Sequence, residues 1–401
     1  MAAIWHLCRG VAGRACQGGA QLPGWPATAR APDGDVVGVQ SADRHRLPGR
    51  IVTRSSVVHT PLVPRHRVHK PAPRAYREFA EPTRLVAMDQ VIVGTLGDQR
   101  GAISGDQLAR LGATAAGRRS ALRSGQLMRV RRGAFVDGRR FRAAAPSERY
   151  AMTVRAVLLT RPGDAAWRHA ALALHGMPLW HVDLARVDVL SDVVAATGAS
   201  GVLVHPRSGR AFGRVDGLPV ARLADAIVAT AASSGLVAGV VAADAAVHHG
   251  LLTPTELKRA ASEGPPVRGC RRVAQLFDFV DGGAESPGES VVRMILALAG
   301  LPVRTQVSIL DEEGAFVARV DVLVGVRVVV EFDGAVKYAD GDGRAVIAEK
   351  VREDRLRSLG YAVVRATWAD LRHPERLVRR VRATGEVSGG EPDAASYRAT
   401  G

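Results

Sequence analysis

Three carboxylates stand in a stretch that has little reason to keep them. Residues 315–338 read AFVARVDVLVGVRVVVEFDGAVKY, with Asp321 inside one apolar run and Glu331 and Asp333 closing the next. The runs 316–324 and 326–332 are short, rich in Val and broken by Gly325, so they predict neighbouring strands. Side chains alternate along a strand, and Glu331 and Asp333 therefore share a face. Carboxylates gathered on a half-buried sheet repel one another unless a cation or a proton compensates them. Asp321 and Glu331 are expected to bind a hard divalent cation, Mg2+ or Mn2+, together with water and a phosphate. Asp333 has two readings: a third ligand, or an acceptor for the backbone of the Asp-Gly turn it opens.

These residues need elements to position them. Residues 286–299 predict a helix, with Ser286 at the N-cap, Pro287 at N1 and an apolar stripe of Val291, Val292, Ile295, Leu296 and Leu298. Ser286-x-x-Glu289 also reads as a capping box. Strands are expected at about 303–310, 315–324 and 326–332. A helix over 343–359, a strand over 361–367 and a helix from about Pro374 then follow. Register decides whether the site can exist, because a one-residue slip turns a side chain to the other face. A two-residue loop at Gly325-Val326 would separate Asp321 from Glu331. A three-residue loop, 325–327, pairs Val324 with Val328 and sets Asp321 opposite Glu331. Such a loop needs a residue at positive φ, which Gly325 can supply. The three-residue loop is the prediction.

This α-β-β-β-α-β order resembles the PD-(D/E)XK restriction-endonuclease-like fold, and more closely the domain family related to very-short-patch-repair endonucleases. The resemblance rests on Arg319-Val320-Asp321, Val330-Glu331-Phe332-Asp333-Gly334, a helix with Lys350, Arg352, Asp354 and Arg355, then Leu359-Gly360-Tyr361 and Val363-Val364-Arg365. It spans residues 285–384. It implies metal-dependent phosphodiester hydrolysis, with Asp321, Glu331, Lys337 and Glu289 catalytic and Arg352 and Arg355 facing phosphate. The family's Glu-x-Lys lysine would stand at 333, where this chain has Asp. Related sequences carry a basic residue a few positions on, a place Lys337 fills. The chain has four lysines against 51 arginines, and Lys337 and Lys350 both follow the carboxylates. Lysine can lend a proton, which arginine cannot. Trp368 reads as core or as a platform for a nucleobase.

The formal charge of +16 over 401 residues is unevenly spread. Residues 1–87 carry +8, nine of the 21 prolines and no periodicity, which predicts a disordered basic tail with Met88 a candidate start. Residues 115–142 hold nine Arg against Asp137, another +8. Around them, 88–145 reads as a winged helix-turn-helix. A first helix covers about 88–98, Ser104 caps a second, Thr114 caps a third over 115–124, and strands near 126–130 and 133–136 form the wing. Arg118, Arg119 and Arg123 would enter the major groove; Arg129, Arg131 and Arg132 would meet phosphates. This part resembles the N-terminal domain of AbiEi-type antitoxins of type IV toxin–antitoxin systems, which implies DNA and a toxin protein as partners.

Residues 146–281 predict an α/β middle domain, with strands near 186–190 and 201–205 and helices near 222–234, 236–249 and 254–263. His169, His175 and His181 are six apart and do not share a helical face, so they read as structural. The middle domain shows no phosphate-binding glycine loop and no GxSxG. Residues 385–401 read as a disordered tail. Cys8, Cys16 and Cys270 form no CxxC pair, and no apolar run nears the roughly 20 residues of a membrane span. The expectation is a cytoplasmic, reduced, α/β multidomain protein.

Overall fold

A computed structural model describes residues 88–264, 269–334 and 343–385, with the backbone alone over 343–346. Lys337 and the predicted tails lie outside the described residues, apart from Gly385. The described residues belong to one compact unit of mixed α/β architecture with three sheets. Among them, no helix is long and apolar enough to cross a membrane.

The first part starts with α1 (Gln90–Asp98), capped by the Asp89 carboxylate on the Val91 N–H at 2.8 Å. After β1 (Ala102–Ser104), Ser104 caps α2 (Gly105–Arg110) through a reciprocal box with Gln107. Thr114 caps α3 (Ala115–Arg123), and β2 (Leu127–Arg131) pairs antiparallel with β3 (Ala134–Asp137). The sheet order is β1-β3-β2. Ile92, Leu96, Ile103, Leu108, Leu127 and Phe135 close a small core between this sheet and the helices. At three residues, β1 is too short for a period to show in the sequence.

The second part opens with α4 (Gly138–Ala143), α5 (Pro146–Leu158), β4 (Ala165–Ala166) and α6 (Arg168–Leu174). Five strands follow: β5 (Val187–Ser191), β6 (Thr197–Ala199), β7 (Val202–Pro206), β8 (Phe212–Val215) and β9 (Leu218–Ala221). They join β4 in a six-stranded mixed sheet of order β6-β7-β5-β4-β9-β8. Helices α7 (Leu223–Ser234), α8 (Leu236–His248), α9 (Pro254–Glu263) and α10 (Cys270–Phe279) complete it. The two predicted strands and three predicted helices lie within two residues of their expected bounds. His175 shares a hydrogen bond with the Ala221 carbonyl at 2.9 Å and His169 with the Asp183 carbonyl at 3.0 Å, and these bonds tie both rings into the framework.

The third part is α11 (Pro287–Leu298), β10 (Val303–Leu310), β11 (Phe316–Val324), β12 (Val328–Asp333), α12 (Gly343–Ser358), β13 (Ala362–Thr367), α13 (Trp368–Arg372) and α14 (Pro374–Gly385). Strands run β10-β11-β12-β13, antiparallel except for β12 and β13, which are parallel across the α12 connection. Val291, Val292, Ile295 and Leu296 of α11 and Leu377, Val378 and Val381 of α14 bury one sheet face. Leu356 of α12 packs on the other with Val320, Leu323 and Val329. Each fully buried Val or Leu contributes about 1.5–3 kcal/mol, which is what holds the strands in register.

The sequence segments share their cores. Ala102, Ala134 and Val136 of the first sheet lie in one buried cluster with α5, α6 and Met294 and Leu298 of α11. Arg293 of α11 donates to Asp244 of α8 at 2.8 Å, with the aspartate side chain 0% exposed.

Candidate functional site

Val324 pairs with Val328, Leu323 with Val329 and Val322 with Val330. The loop is therefore the predicted three-residue one, and Gly325 sits at φ +59°. Continued by one pair, this register sets Asp321 opposite Glu331. There the ladder gives way. The Phe332 N–H, which the register would present to Val320, donates to Asp321 Oδ2 at 2.9 Å. On the other side, β10 pairs Thr305 with Val322 and Val307 with Val320, which flank Gln306 and Asp321. Gln306 adopts φ +50°, a left-handed backbone inside a strand.

The side chains record this distortion. Ala318 and Val320 face the α12 side, whereas Val322 and Val324 face α11. Simple alternation would put all four on one face. The switch falls at Asp321, so Asp321 is within electrostatic reach of carboxylates from both sides of the sheet, Glu289 on α11 and Glu331 on β12.

Glu289 is 9% exposed. Its Oε2 accepts the Glu285 N–H at 2.9 Å and the Gln306 side-chain amide at 3.0 Å. Ser286 caps the Glu289 N–H, but the Glu289 carboxylate takes the backbone N–H of Glu285 in place of that of Ser286, so the predicted capping box is half formed. Burial pushes the Glu289 carboxyl above the ordinary glutamate range, and the Asp321 charge adds to the push. Glu331 behaves alike: burial raises it, Arg352 pulls it back, and Glu349 and Asp321 raise it further. Arg352 donates to Glu331 Oε1 at 3.0 Å and to Glu349 at 2.8 Å. Asp333 is half-buried at the end of β12. Trp368 is 41% exposed, stacked on Trp180 at 5.9 Å and edge-on to Phe332 at 4.9 Å. It is neither plain core nor a free platform.

Carboxylate oxygens are the donors a hard cation takes, and burial makes ionisation of Glu289 and Glu331 costly. The residues fit a divalent cation in type, while the Arg352 guanidinium already supplies positive charge beside Glu331. Among the described residues, no group of three or more His, Cys, Asp and Glu is assembled closely enough to hold a metal ion.

The arginines expected at nucleic acid divide into two sets. Arg119, Arg123, Arg129 and Arg132 are exposed and Arg118 is half-buried, all on α3 or the β2–β3 hairpin. Arg131 instead turns inward, donating to the carbonyls of Val130 and Ala185. Arg355 pairs with Asp311, as Arg352 does with Glu331 and Glu349. Gln306 is a site residue that the sequence did not reveal. Its neighbours Arg304 and Ser308 are polar, and together they read as an ordinary solvent face.

No family model matches the chain. Uncharacterized proteins from two strains of Mycobacterium tuberculosis are each 28% identical to it over 183 residues, which is 45% of this chain and 67% of the relative.

Proposed function

We propose that this protein is a metal-dependent DNA endonuclease in which a winged helix-turn-helix over 88–145 grips DNA and a PD-(D/E)XK-like domain over 285–384 cleaves it. The observation that carries this reading is that Asp321, at a break in an otherwise Val-filled sheet, lies within electrostatic reach of both Glu289 and Glu331. Breaks of this kind cost stability and collect at functional sites.

A bound Mg2+ or Mn2+ would activate water and neutralise charge on the phosphate. Asp321 and Glu331 are the residues that would hold it, with Asp333 and Glu289 beside them. Arg352 would leave Glu331 and turn to the phosphate, where a guanidinium fork binds two oxygens. Lys337, the basic residue the resemblance assigns, would carry the proton. Arg118, Arg119, Arg123, Arg129 and Arg132 would bind the duplex, chiefly through phosphates.

A second reading is a DNA-binding antitoxin or regulator whose nuclease-like domain is inert, with a toxin protein as partner. Arg352 favours it, because Glu331 is already neutralised from within the chain. Incubating supercoiled plasmid with the whole chain and Mg2+, Mn2+ or EDTA separates the two. Cation-dependent nicking supports the nuclease. Duplex binding without cleavage under any cation supports the regulator.

A further inference from the structure

We infer that Gln306 is a positioning residue of the carboxylate site, holding Glu289 against Asp321 through its side-chain amide. The inference rests on the proposed reading of these carboxylates as the cation site. It starts from an oddity of backbone: Gln306 is at φ +50° in mid-strand, with paired residues on either side of it. A non-glycine residue in this conformation costs about 1–2 kcal/mol, and no turn here requires it. The conformation turns β10 over, and β11 turns over opposite it at Asp321. Val303 accordingly packs on the α11 side, while Val307 and Ile309 pack on the α12 side.

The strained residue also makes a specific bond. The Gln306 amide donates to Glu289 Oε2 at 3.0 Å, the oxygen that already accepts the Glu285 N–H. Two donors on one oxygen fix the rotamer of a nearly buried carboxylate and leave Oε1 outside both bonds. One distortion therefore places Asp321 and holds Glu289. An amide at 306 can donate to a carboxylate without adding charge to the cluster.

Gln306→Gly tests this, because glycine accepts φ +50° and removes the amide with the rest of the side chain. The fold should survive, with a melting temperature no lower than that of the parent. Mn2+ binding to the whole chain, followed by electron paramagnetic resonance, should weaken about 10-fold or more, as losing a hydrogen bond that orients the groups around a metal site typically does. In cleavage, kcat should fall with KM for DNA unchanged. Without cation, the melting-temperature changes of Gln306→Gly and Glu289→Gln should not add. Mn2+ affinity and kcat within twofold of the parent, or additive melting changes, would overturn the positioning role while leaving the cation site intact. A parent chain that binds no Mn2+ would overturn the site reading and this inference together.

Discussion

Glu289 keeps a carboxylate where ionisation is costly, and that cost gives a direct test. Its folded pKa is raised, chiefly by burial and then by Asp321, so the folded chain holds this proton more tightly than the unfolded chain does. Stability is therefore lost as pH rises through the raised pKa. Glu289→Gln removes that loss and still offers an oxygen to the Glu285 N–H. In EDTA the variant should melt higher than the parent at pH 7, and the gain should vanish below about pH 4, where both states of the parent are protonated. A lower melt at pH 7 would show that the ionised carboxylate stabilises the fold. Asp321 and Glu331 were legible in the sequence because charge inside a Val-rich run demands an explanation. Gln306 and the Arg352 pairing were not. Nothing in the sequence signals a left-handed residue within a strand, and Arg352 meets Glu331 only once α12 has packed across the sheet.

At the scale of elements, the β11–β12 hairpin carries the most. Its register follows from two facts readable in sequence, the Val periodicity and the one glycine in the loop. Nothing lies within 4 Å of the position a Cβ on Gly325 would take, so a substitution there reports backbone strain alone. Gly325→Ala should lower stability by about 1–2 kcal/mol, read from the urea midpoint. The β2–β3 hairpin offers a contrast between neighbours. Exposed Arg132→Ala should reduce the salt slope of duplex binding by about 0.9 if it contacts a phosphate. Arg131→Ala should leave the slope unchanged and lower the melting temperature, because Arg131 is spent on the Ala185 carbonyl. An altered slope for Arg131→Ala would return it to the DNA-contacting set. Sequence patterning treats the two arginines alike, and only the packing of the hairpin on its neighbour tells them apart.

Across the whole molecule, a charge of +16 resolves into local basic segments, and the sequence segments are joined through common cores. The Arg293–Asp244 pair is one such joint. Arg293→Met would leave Asp244 buried and unpaired, and should cost about 3–5 kcal/mol in urea unfolding. The order of elements around the carboxylates was readable because Ser286 and an apolar stripe mark the first helix and Val-rich runs mark the strands that follow it. The six-stranded sheet was only partly so, since β4, β6, β8 and β9 are four residues or fewer and too short to show a period. The most direct measurement compares plasmid nicking by the parent and by Asp321→Ala in Mn2+, with duplex affinity measured in parallel. The parent should nick in a cation-dependent way, the variant should not, and their duplex affinities should agree within a few-fold. Equal nicking by both proteins, or none by the parent with any cation, would contradict the endonuclease reading.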